Sequence, residues 1–104
     1  MTAANPARGE AGFEVDGAAL LLRPSFAALV AAETELGPLF ALVERAAEGQ
    51  LEIKEMAALF FHCAADRPDD LTRERIGAAI VESGLAKATP VLRMLLTQIL
   101  QGRV

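Results

Sequence analysis

Leu92, Leu95, Leu96, Ile99 and Leu100 recur at i, i+3, i+4, i+7 and i+8, the spacing of one helix face. Thr89 stands where an N-cap belongs, Pro90 at the first helical position and Gly102 at the stop, so the spacing predicts a helix from Pro90 to about Gln101. Burying five such side chains is worth on the order of 8–15 kcal/mol before entropy is subtracted, comparable to the whole net stability of a domain. A stripe of that size has to be covered. In a chain of 104 residues the cover must come from short elements that share one core, because a chain this small hides only roughly 60–70% of its unfolded surface.

The rest of the chain offers those elements. Phe13-Glu14-Val15, Asp16-Gly17 and Ala18 to Arg23 read as a hairpin, since Asp-Gly supplies the two positive-φ residues of a type I′ turn. Alternation puts Phe13, Val15, Ala18, Leu20 and Leu22 on one face and leaves Leu21 as an apolar residue on the other. Pro24 ends the second strand and Ser25 caps a helix from Phe26, whose apolar stripe is Phe26, Leu29, Val30 and Leu36 and whose stop is Gly37-Pro38. Leu39, Leu42, Val43 and Ala46 mark a second helix ending at Gly49, and Met56, Leu59, Phe60 and Cys63 a third from about Ile53 to Ala65. Thr72 caps a fourth from Arg73 to Ser83, with Gly84 as a left-handed stop and Leu85 placed to pack back on Ile80. The expected fold is α+β but mostly α: an N-terminal hairpin followed by about five short helices in one domain over residues 12–104, after a disordered tail at residues 1–11.

Charge and motifs narrow the function. Ten basic against 14 acidic residues give a net charge of -4, which opposes a phosphate backbone, so nucleic acid is not an expected partner. No apolar run reaches the roughly 20 residues of a membrane span. One cysteine and one histidine make neither a disulfide framework nor a zinc site, which suits a reducing cytoplasm. There is no phosphate loop, no dinucleotide fingerprint and no metalloprotease motif, so neither catalysis nor a cofactor is expected. His62 and Cys63 are neighbours that diverge by about 100° on a helix and cannot act as base and nucleophile. The carboxylate pairs Glu33/Glu35, Glu52/Glu55 and Asp69/Asp70 read as solvated faces. Glu33 stands apart at the edge of a stripe, where it either reaches a nearby amide or Arg23 or takes part in binding.

A more specific signal lies in Leu22-Arg23-Pro24-Ser25-Phe26, followed at helical spacing by Leu29, Glu33, Leu36 and Gly37. With the hairpin before it and the small helices after it, this stretch resembles the small tail assembly proteins of gene transfer agents and related siphophages, a family called both tail assembly chaperone and tail tube protein. Ser25 and Glu33 match the hydroxyl residue after the proline and the glutamate before the glycine in that family's pattern. Leu51 to Ala58 and Leu71-Thr72 are weaker points of similarity, Phe60-Phe61-His62-Cys63 is a departure, and the likeness extends from about Gly12 to Gln101.

The resemblance implies a non-enzymatic role in the bacterial host's cytoplasm, holding the tape-measure protein soluble during tail assembly, with other tail proteins as further partners. The alternatives are a structural tail tube component and a generic helical adaptor. A tube subunit should bring a large sheet to line the bore, whereas this sequence contains one hairpin. Leu21, Phe40 and Phe61, which no single core stripe uses, are candidate partner-binding residues together with Glu33. Unpaired hairpin edges beside Leu21 lead to the further expectation of a homo-oligomer.

Overall fold

The turn at Asp16-Gly17 has both residues at positive φ, 53° and 80°, as the dipeptide requires. In the computed structural model, which describes residues 10–102, it joins strand β1 (Ala11–Val15) to strand β2 (Ala18–Leu22) in antiparallel register, with Phe13 opposite Leu20 and Val15 opposite Ala18. Five helices follow among the described residues: α1 (Phe26–Leu36), α2 (Leu39–Ala47), α3 (Ile53–Cys63), α4 (Arg73–Ser83) and α5 (Leu85–Gln101). The expected hairpin-plus-helices class therefore holds. The expected tail at residues 1–9 lies outside the described residues, but Glu10 is buried and Ala11 opens β1, so the fold begins inside the segment that reads as a tail.

Helix α3 is the hub. It buries Met56, Ala57, Ala58, Leu59, Phe60 and Cys63, packing against α1 on one side and α4 on the other. Its Phe60 ring meets Phe13 of β1 edge to face at 5.3 Å, and β1 also lies on α4 and α5. The predicted caps form: Ser25 Oγ accepts from Ala28 N–H and Thr72 Oγ1 from Arg75 N–H, both at 3.2 Å. The start of α3 has a support that the sequence reading lacked, because the Glu55 carboxylate accepts the Glu52 amide at 3.0 Å.

Four expectations need correction. Helix α3 ends at Cys63 instead of Ala65, because the chain there turns to pair with β2: Arg23 N–H donates to Cys63 O at 2.7 Å and Ala65 N–H to Leu21 O at 2.8 Å. That pairing occupies part of the outer edge of β2 and leaves Leu21 half-buried, so of the two hairpin edges expected to be open, the one beside Leu21 is partly engaged. Helix α5 begins at Leu85, not Pro90, and Gly84 (φ 91°) is at once the end of α4 and the cap of α5. Pro90 forfeits one hydrogen bond inside α5, and Thr89 bonds back to Leu85 O at 2.6 Å instead of capping. Full burial of Ala88 fixes the first turn in the core, so packing overrides the proline signal.

The fourth correction concerns α1. Phe26 is 85% exposed and Val30 is exposed too, while the buried residues are Ala28 and Ala32. The alanine face lets the axes of α1 and α3 approach closely, as the bulky face would not. One turn further on that same side, Glu35 accepts from Arg73 of α4 and lies 2.8 Å from Nε2 of His62 of α3. Half of the stripe read as core, Phe26 and Val30, therefore faces outward, while Leu29 and Leu36 remain partly buried against the core.

Candidate partner-binding surface

At Gly37-Pro38 the chain bends by 76° between α1 and α2. Gly37 takes the positive φ of 89° that the bend requires and donates to Glu33 O at 2.9 Å. The Pro38 ring has no hydrogen-bonding group to cap α2, and Glu33 supplies the acceptor from six residues upstream of Leu39, its Oε2 lying 3.1 Å from Leu39 N–H. A carboxylate at a helix N-terminus is favourable on charge grounds as well. Of the alternatives open to Glu33, the structure has the nearby amide; Arg23 instead pairs with the buried Glu10 at 2.7 Å.

After the bend, side chains of α2 and α5 together line an apolar groove. One half of the groove is a cavity of about 250 Å³ lined by Leu29, Glu33, Leu39, Phe40, Val43, Ile99 and Leu100. The adjoining half, about 380 Å³, is lined by Val43, Ala46, Ala47, Leu92, Arg93, Leu96 and Leu100, with Thr89 and Thr97. Phe40 is 80% exposed and Leu100 57%. Phe26 and Val30 extend the apolar surface along α1, on the same helix face as Leu29 and Glu33. Large exposed side chains clustered on one face mark interaction surfaces.

Of the four residues singled out from sequence, the structure brings Phe40 and Glu33 together in this groove and leaves the other two elsewhere. Phe61 is half-buried, its ring 4.1 Å from the Arg67 guanidinium and 5.0 Å from that of Arg73, and Arg67 also donates to its carbonyl. Leu21 lines a separate hollow with Ala65, Asp66 and Pro68. Sequence reasoning missed Leu29, Val43, Leu96, Leu100 and Arg93 as members of the surface. The width of the α5 stripe was the available signal: Leu92 and Leu95 are buried, whereas Leu96 and Ile99 are only partly so.

The titratable groups of the fold do structural work. Hydrogen bonds from Arg73 first, and His62 second, hold the Glu35 carboxyl below the usual carboxylate range. Burial pushes the Cys63 thiol up to about 12, which makes it a poor nucleophile. Arg75 ties the hairpin turn to α4, bonding Asp16 at 2.6 Å and Asp70 at 3.0 Å. Among the described residues no group of three or more His, Cys, Asp and Glu side chains is placed to hold a metal ion, and no single helix is long and apolar enough to cross a membrane.

A hairpin, a helix capped by Ser25 and stopped at Gly37, and small helices after it are the features on which the sequence, from about Gly12 to Gln101, resembled a tail-protein family. The profile of the family described as phage tail tube protein, GTA-gp10, matches residues 8–102. The chain belongs to that family. It is therefore a phage or gene transfer agent tail-related protein, and its expected partners are other tail proteins. Neither the curated proteins nor the solved structures yield a match to it.

Proposed function

We propose that this tail protein is an assembly chaperone that holds an apolar or amphipathic helical stretch of the tape-measure protein until tube subunits polymerise around it. The observation that carries this reading is the groove between α2 and α5, where Phe40, Val43, Leu96 and Leu100 offer apolar side chains at helical spacing on both walls. A helix lying in a groove is recognised by such paired rows of anchors. An acidic net charge of -4 favours solubility in a protein that displays an apolar face. The role needs no catalysis and no cofactor, and it is exercised in the cytoplasm of the host cell where tails are built.

The family description favours a second reading, a structural component of the tail tube. Against it stands the sheet, which among the described residues is a single two-stranded hairpin, whereas lining a bore calls for a larger one. Co-expression separates the two. The tape-measure protein from the same genome is expected to be insoluble alone and soluble with this chain, and Phe40→Asp is expected to abolish the rescue without lowering the chain's own melting temperature. Absence of rescue by the wild-type chain, together with its incorporation into purified tails, would establish the tube reading instead.

A further inference from the structure

The groove has two properties beyond being apolar. It carries a protrusion and a hollow side by side: Phe40 stands out at 80% exposure, next to the depression walled by Ala46, Ala47 and Leu96. It also carries one charge of each sign, at opposite ends. Glu33 lies in the half with Phe40, and Arg93 in the half with Ala46 and Ala47; Val43 and Leu100 belong to both halves and mark the middle. Both charged residues are exposed, and Arg93 has no ion-pair partner among the described residues.

A surface with its knob and hollow, and its negative and positive charges, placed on either side of one centre is complementary to itself under a two-fold rotation. We propose that a second copy of this chain covers the groove in an isologous dimer. The axis passes near Val43 and Leu100, Phe40 of each copy enters the other's hollow, and Glu33 of each faces Arg93 of the other. The edge of β2 beside Leu21, one of the two hairpin edges that offered another route to a dimer, is partly occupied by the pairing with Cys63 and Ala65. The dimer hides the same apolar face that the chaperone reading assigns to the tape-measure protein. As a consequence that rests on that reading, dimer and partner compete, and the resting dimer keeps the sticky face out of water until the partner displaces the second copy.

The test is sedimentation of the full chain, with each variant's folding checked by circular dichroism. Wild type is expected to dimerise. Arg93→Glu and Glu33→Arg each place like charges at both symmetry-related contacts, and each is expected to weaken the dimer by about tenfold. Mixed one to one, the two variants restore opposite charges at both contacts and are expected to form a heterodimer of wild-type strength. Phe40→Asp, at an exposed position that does not hold the fold together, is expected to give a folded monomer, and it keeps the proposal testable if Glu33→Arg loses the cap on α2. A wild-type chain that stays monomeric at the highest attainable concentration overturns the proposal, as does a dimer that survives Phe40→Asp. A monomeric wild type that still solubilises the tape-measure protein removes the dimer and leaves the chaperone reading standing; a dimer that fails to solubilise it does the reverse.

Discussion

Helices α1 and α3 are both 11 residues long and both rich in alanine, leucine and phenylalanine, yet they are used in opposite ways. Helix α3 buries Met56, Leu59 and Phe60, the last two fully enclosed. Helix α1 buries two alanines and turns Phe26 and Val30 to the outside. The difference teaches that hydrophobic content does not decide which face of a helix is core. Position does: α3 lies between α1 and α4 and under the hairpin, so every direction but one is protein. Helix α1 packs at the margin, where a methyl face allows close approach and Phe26 and Val30 stay exposed.

The strongest way to break the comparison is to truncate the same residue type in both helices. Phe60→Ala is expected to cost about 3–5 kcal/mol in a denaturant titration, as deletion of an enclosed ring does. Phe26→Ala is expected to change stability by less than about 0.5 kcal/mol. Equal losses at the two positions would mean that α1 is core after all. Enlarging the small face of α1 is the next test. Ala32 has no exposed surface, so Ala32→Leu is expected to overpack the contact with α3 and cost about 1–3 kcal/mol in thermal melts. A neutral result would show the two helices to be loosely apposed.

The smallest expected effect concerns the contacts of Glu35 on α1 with Arg73 of α4 and His62 of α3. Because the folded-state pKa of Glu35 is depressed, chiefly by Arg73 and then by His62, its contribution is fully present above the unfolded carboxylate value of roughly 4.3 and is lost as pH falls through the folded value. Glu35→Gln is expected to cost no more than about 1 kcal/mol at neutral pH, since the side chains are partly exposed and screened. It is also expected to flatten the decline in melting temperature below about pH 4. An acid limb as steep as that of wild type would show that other carboxylates set it.

Much of the local structure was legible in the residues because its causes are local. Asp16-Gly17 dictates a turn, Ser25 and Thr72 cap helices whatever surrounds them, and Gly37-Pro38 stops α1 through backbone sterics alone. What the linear pattern could not show was which side of an amphipathic stretch meets the core. Phe26, Leu29, Val30 and Leu36 look like a buried stripe by spacing, but burial of Ala28 and Ala32 turns Phe26 and Val30 outward and leaves Leu29 and Leu36 only partly buried. Pro90 misled for a related reason: its preference for a first turn was outweighed by burial of Ala88. Of the binding candidates, Phe40 and Glu33 were readable, one as an apolar residue with no assigned stripe and the other as a carboxylate at a stripe's edge. Arg93, Leu96 and Leu100 were not, because a groove between α2 and α5 depends on a 76° bend and on two helices far apart in sequence. The sequence by itself determined the hairpin, the caps of α1 and α4, the break at Gly37-Pro38 and the family. The tertiary structure decided which apolar faces are left uncovered, because burial is a property of neighbours in space and not of spacing along the chain.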